Sequence, residues 1–336
     1  MDLLEILRTL NASHGPTGDE SGVRAAIRAL AEPLADEVKE DALGNLIVRR
    51  KGSGPKVMLA AHMDSIGFIV THVEENGYLR FGRLGGLSAI ELCATPVRFA
   101  NGVKGVVCLP EDADPKDLKL DQLSIDVGAE SAKAVEALGL DLGDTAVYNT
   151  GLFTTGERVV SPYLDDRIAC AVLLQVLEAL KGEKVKNDLY FVFTVQEEVG
   201  LRGARTAAFA VKPDYALAMD VTSTDDEPGS KHTSTARLGK GAAVKVMDHS
   251  VLCHPQVVQK LRDLAAEGNI PVQTDIMRSG GTDAGAIHQS RKGVLTGGIS
   301  VPCRYIHTPQ EMADRRDVAA CVDLALAFVR AELPAL

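Results

Sequence analysis

Three apolar runs in this chain stop abruptly at acids or a histidine, and no other feature narrows its possible folds as much. KVMLAAH ends on His62, YFVFTVQEE on Glu197 and Glu198, and YALAMD on Asp220. Each run is strand-sized and nearly all apolar, as a buried strand must be. Between and after them lie stretches with helical spacing. In residues 168–180, for example, Ile168, Val172, Leu173, Val176, Leu177 and Leu180 mark the core face of an amphipathic helix. Buried strands alternating with helices predict an α/β fold, a central mostly parallel or mixed sheet flanked by helices. Such sheets collect their chemistry just past the carboxyl ends of the strands, where these polar residues stand.

The α/β texture is interrupted once. The first forty residues predict two helices around a Gly/Pro break at residues 11–19, followed by strands at 45–50 and 56–61. From residue 67 to 156 short β-like runs (YLRFGRL, TPVRFA, VKGVVCL, TAVYNT) are cut by Gly, Pro and Asn, with a helical piece near residues 131–138 and an acidic, proline-containing loop at 111–120. This predicts a small inserted β-rich domain, barrel or PDZ-like, serving substrate access or assembly. Residues 1–66 and 157–336 then form one α/β domain. Downstream, a polar loop at 222–238 precedes a strand at 242–246 and a helix at 255–267. SGGTDAGAIH reads as a glycine-rich turn opening a helix, without the lysine and spacing of a phosphate loop. An irregular segment then presents Arg304 and His307, and residues 316–332 predict a final helix.

Composition excludes several function classes. A formal charge of −10 over 336 residues disfavours nucleic acid and anionic membranes as partners. No run reaches the length of a membrane span, and the start lacks the layout of a signal peptide, so a cytoplasmic protein is expected. The six cysteines form no CxxC and read as reduced thiols. Absence of Trp and an aromatic content of 4% weaken readings that need stacking platforms for sugars or bases.

The polar residues at predicted strand ends and helix starts are His62, Asp64, Asp165, Glu197, Glu198, Asp220 and His307. Taken singly, each has an ordinary explanation: a helix cap for Asp165, a solvated strand end for the glutamates, a polar loop for His62 and Asp64. Five separate segments delivering such side chains to one sheet edge are not explained that way. Successive strand residues face opposite sides, so Glu197 and Glu198 are expected to do different jobs. His62 and Asp64 are two apart and share a face, which suits an imidazole ligand held through its other nitrogen by Asp64.

HMDSIGF, LDDR, QEEVGLRGA, AMDV, SGGTDAG and RYIHTPQEM occur in an order that resembles the glutamyl-aminopeptidase and tetrahedral-aminopeptidase family of dinuclear metallopeptidases. The resemblance implies two divalent metal ions bridged by Asp165, one held by His62 and Asp220, the other by Glu198 and His307. It implies Glu197 as general base and acid, Asp64 as the residue orienting His62, and a cis peptide between Asp165 and Asp166. Zinc or cobalt suits these ligands, with manganese as a third choice. Three ligand carboxylates and one hydroxide would balance two divalent ions. The resemblance further implies peptide substrates and a hollow homo-oligomer, often a tetrahedral dodecamer. It places Asp283 and Arg304 near the cleft, as substrate contacts or structural partners. A carboxypeptidase or deacylase on a similar dinuclear scaffold is the nearest alternative, although an insert between His62 and Asp165 favours an aminopeptidase. A metal-independent glycoside hydrolase using two carboxylates is the more distant one. Which N-terminal residue is taken stays open, with the loop at 222–238 expected to form part of the pocket wall. His14, His72, His232, His249, His254 and His288 are expected in surface or satisfied polar roles.

Overall fold

A computed structural model describes residues 1–114 and 116–335, so Pro115 of the acidic loop at 111–120 lies outside the described residues. Four parallel strands form the centre of an eleven-stranded sheet, in the order Asp188–Thr194, Lys56–His62, Tyr215–Ser223, Leu295–Arg304. Their register aligns Thr194 with His62 and Asp220 with Ser300, so the carboxyl ends lie along one edge. Alternation builds two cores. From Lys56–His62, Val57, Leu59 and Ala61 join a large core with the helices Leu3–Ala12, Leu164–Ala179, Pro255–Gly268 and Arg315–Arg330. Met58 and Ala60 face the opposite way, with Ala204, Ala207 and Ala208 of Arg202–Val211 and Ile287 of Ala284–Ile287. The helix-flanked mixed sheet is the architecture that the sequence texture predicts.

The strands between Gly67 and Tyr148 close into a separate six-stranded antiparallel barrel, which resolves the choice between barrel and PDZ-like fold. Its core holds Phe68 edge-on to Phe81 and Tyr148, with ring centroids 5.1 and 5.7 Å away. The helix Leu164–Ala179 departs from expectation. It is buried on nearly all sides rather than amphipathic, because helices and sheet enclose it together. Short strands, the edge strands Glu37–Glu40 and Phe153–Thr155 and the inner Glu311–Asp314 among them, carry no apolar run long enough to betray them. All six cysteines are free, and no helix among the described residues is long and apolar enough to cross a membrane.

One close approach sets the turn after Thr194. Gly203 lies against the Val195 carbonyl and the Asn45 amide oxygen, and its own N–H donates to Val195 O at 2.9 Å. A Cβ there would collide with both oxygens. Gly203→Ala is therefore expected to destabilise the protein by roughly 1–3 kcal/mol, the usual cost of overpacking, read as a lower urea midpoint with an unchanged slope.

Candidate metal centre

His62 ends its strand, Asp220 lies within Tyr215–Ser223 and Asp165 opens a helix, while Glu197, Glu198 and His307 stand in turns beyond the strand ends. The strand Asp188–Thr194 stops three residues before Glu197, and Gln196 adopts a left-handed conformation (φ 53°) that swings the chain out of the sheet. Tyr163, Leu201, Tyr305 and His307 also have positive φ, so half of the ten such non-glycine residues among the described residues flank or form this site. Each costs about 1 kcal/mol or more and persists only where contacts hold it. The peptide between Asp165 and Asp166 is cis.

Asp165 lies at the middle. Its Oδ1 is 2.9 Å from His62 Nε2 and its Oδ2 is 3.2 Å from His307 Nε2, so one carboxylate reaches both imidazoles. His307 Nε2 is also 3.3 Å from Glu198 Oε2. Two groups have ligand atoms all within 4.8 Å of one another: His62 with Asp165 and Glu198, and His62 with Asp166 and Asp220. Asp166, assigned no role from the sequence, is fully buried, and neither of its carboxylate oxygens has a hydrogen-bond partner. Glu198 Oε1 is likewise without one.

Electrostatics describe the same crowding. Burial, reinforced by neighbouring carboxylates, raises Glu197, Asp220 and Asp166 well above the usual carboxylate range. Burial opposes a charged imidazolium at His307, yet Glu198 and Asp165 push its pKa up to about 12. At His62, Glu197, Asp165 and Asp64 outweigh the same penalty. Asp165 is held below the ordinary range by the two histidines despite its burial. Unpartnered buried oxygens among carboxylates that repel one another fit a divalent cation, because such acids cannot otherwise remain ionised out of water.

The M42 glutamyl aminopeptidase family matches residues 44–324. The chain belongs to this family. It is 38% identical to a lysyl aminopeptidase of Pyrococcus furiosus, over 97% of this chain and 96% of that one. It superposes on an aminopeptidase of the archaeon Desulfurococcus kamchatkensis with a TM-score of 0.93 at 39% identity, covering 98% and 94% of the two chains. A peptidase of Pyrococcus horikoshii that can assemble into a tetrahedron or a large octahedral shell matches with a TM-score of 0.88 at 30% identity, over 98% of this chain and 99% of that one. The protein is therefore a peptide hydrolase of the aminopeptidase kind, carrying residue groups able to hold metal.

The turns of this M42 peptidase are held by side chains that sequence reasoning missed. Buried Glu311 accepts the Asp165 N–H at 2.9 Å and the His307 N–H at 2.8 Å, tying two ligand turns together with one carboxylate. Buried Glu20 accepts N–H groups of Gly18 and Gln196, and burial pushes its pKa up to about 6. Asp64 accepts the Glu197 and Glu198 N–H groups at 3.0 and 3.3 Å and the Thr17 hydroxyl at 2.7 Å. Its main-chain oxygen, 3.1 Å from His62 Nδ1, is nearer to the ring than its carboxylate at 3.5 Å. Asp283 accepts the Thr194 hydroxyl at 2.6 Å, and Arg304 pairs with Asp226 through two hydrogen bonds of 3.0 and 2.8 Å. Neither Asp283 nor Arg304 lines the cavity beside the metal groups. His14 and His232 sit against acidic partners, Asp19 and Asp225, which are satisfied polar roles, whereas His249 lines the cavity. Neither Glu311 nor Glu20 had a one-dimensional signal, because their N–H partners belong to turns that meet only in space.

Glu311→Gln replaces one of the two accepting oxygens with a donor that would face an N–H. The expected result is a 10- to 100-fold loss of divalent-ion affinity, the usual effect of disturbing a ligand's support, with unaltered circular dichroism. Calorimetric titration of zinc into metal-free protein measures it.

Proposed function

We propose that the protein is a dinuclear metal-dependent aminopeptidase that removes N-terminal residues from peptides, with Glu197 as general base and acid. The observation that carries this reading is Asp165, which places one oxygen against each of the two histidines. Asp165 would bridge, His62 and Asp220 would hold one ion, and Glu198 and His307 the other. Asp166, buried beside His62 and Asp220, is a further carboxylate for the first ion. Zinc or cobalt suits the mixed imidazole and carboxylate donors, with manganese the third choice.

Divalent ions held by these residues would supply Lewis acidity for a scissile carbonyl and for a water, whose pKa they would lower to about 7. The remaining proton traffic falls to the chain itself. Glu197, whose carboxyl burial makes more basic than usual, takes a proton from the attacking water and returns it to the departing amine nitrogen. Glu198 must stay ionised as a ligand. Asp64 holds both glutamate N–H groups, so it positions base and ligand together as well as supporting His62 through its main-chain oxygen. Asp283 and Arg304, engaged by Thr194 and Asp226, support the site's surroundings in this reading rather than touching substrate.

We also take residues 67–156 as an inserted domain, with residues 1–66 and 157–336 as the catalytic domain, in a cytoplasmic homo-oligomer. The Pyrococcus horikoshii peptidase, similar over nearly the whole chain and able to assemble into a tetrahedron or a large octahedral shell, supports a homo-oligomer, for which a tetrahedral dodecamer is one candidate. The exposed barrel side chains Ile90 and Leu142 are suited to contact.

Two variants separate the glutamates. Glu197→Gln is expected to keep both ions and lose about 10²–10⁴-fold in kcat, the usual worth of a general base. Glu198→Gln is expected to bind one equivalent less metal. Elemental analysis beside release of N-terminal residues reads both, and near-normal turnover by fully loaded Glu197→Gln would sink the assignment. A chelator should abolish activity and added zinc or cobalt restore it; chelator-resistant hydrolysis would point to metal-free carboxylate chemistry.

A further inference from the structure

A cavity of about 550 Å³ opens beside the metal groups, and its remaining walls carry no formal charge apart from one imidazole. Leu201, Val221, Met277 and Ile306 supply its apolar surface, and Gly280 and Gly281 leave a stretch without side chains. The rest is glycine, serine and His249.

Charges on strands leading towards the cavity are already committed. Lys245 is buried with its Nζ 2.6 Å from Asp275. The Arg304 guanidinium is held by both Asp226 oxygens. Asp248, beside His249, is buried and accepts from the Ser250 N–H and hydroxyl, the Val251 N–H and the Thr282 hydroxyl. Among the described residues no arginine or lysine lines the cavity to meet an acidic side chain, and its only lining carboxylates are those of the ligand cluster. Of the polar loop expected to wall the pocket, only Ser223 lines the cavity; Thr222 turns away to donate to Asp275, and Asp225 and Asp226 pair with His232 and Arg304.

We propose that this cavity receives the side chain of the substrate's N-terminal residue and selects an uncharged aliphatic one, of leucine or methionine type, over acidic and basic ones. The inference rests on the aminopeptidase reading above. It departs from the glutamyl label of the family and from the lysyl label of the Pyrococcus furiosus relative. A charged side chain would lose its water and find no counter-charge, whereas an aliphatic one exchanges water for Leu201, Val221, Met277 and Ile306.

The test measures kcat/KM of the metal-reconstituted protein on leucyl-, methionyl-, glutamyl- and lysyl-p-nitroanilide. Leucyl or methionyl release should exceed both charged substrates by at least roughly 10-fold, the lower end of pocket-based discrimination. Glutamyl or lysyl rates equal to or above the leucyl rate overturn the inference while leaving the aminopeptidase reading intact. No release from any of the four overturns both. Ser223→Glu, at an exposed lining position, supplies the missing counter-charge and should raise the lysyl-to-leucyl ratio several-fold. A ratio that does not move overturns the assignment of this wall to the substrate side chain.

Discussion

The site depends on acids held together out of water. Asp165, Asp166 and Asp220 are each less than a tenth exposed, the Glu198 carboxylate is as well sheltered, and Glu197 packs among them. Like charges at these separations repel strongly in a low-dielectric interior, which is why burial and mutual repulsion drive three of them towards protonation. Two imidazolium ions would relieve part of this, but His62 and His307 cannot satisfy both oxygens of Asp166 or the free oxygen of Glu198. Divalent cations can, and they turn a destabilising cluster into a binding energy available to the folded chain alone. The sheet supplies the location; the cation demand explains why so many acids are tolerated there.

Keeping such a cluster in register calls for a backbone that cannot relax. The chain meets this with buried carboxylates that accept main-chain N–H groups: Glu311 for the turns of Asp165 and His307, Asp64 for those of Glu197 and Glu198, Glu20 for Gln196. Each clamp joins segments far apart in sequence, and each secures turns that contain a left-handed residue or adjoin one. The site is thus two layers of acids. The inner layer is the set of side chains able to hold metal, and the oxygens of the outer layer are taken up by main-chain N–H donors.

This division explains what could be read from the sequence. The inner layer stands at the ends of apolar runs such as VMLAAH and YALAMD, and a run that stops at a polar residue is a one-dimensional signal. The parallel sheet and the β-rich insert were legible for the same reason, since periodicity and turn residues are local. Glu20 and Glu311 were not, because their partners are set by how two turns meet in space. The short strand Glu37–Glu40, half-exposed and charged, was hidden because its identity comes from pairing with Leu46–Arg50 rather than from its own pattern. Arg304 illustrates the converse. Its motif points to the cleft, but Asp226, 78 residues away in sequence, takes up its guanidinium.

The barrel, which contributes no ligand, still bears on the metal groups. A Cβ at Gly86 would stand 2.7 Å from His307 Nδ1, and one at Gly85 would stand 3.0 Å from Glu198 Oε2. The turn after the barrel strand Leu79–Leu84 therefore lies against the two side chains of the second ligand pair, and any larger residue would displace them. Tyr148 adds a hydrogen bond of 3.3 Å from its hydroxyl to the His307 carbonyl. Ligand position on this side of the site is consequently a property of the contact between barrel and sheet, not of the sheet alone.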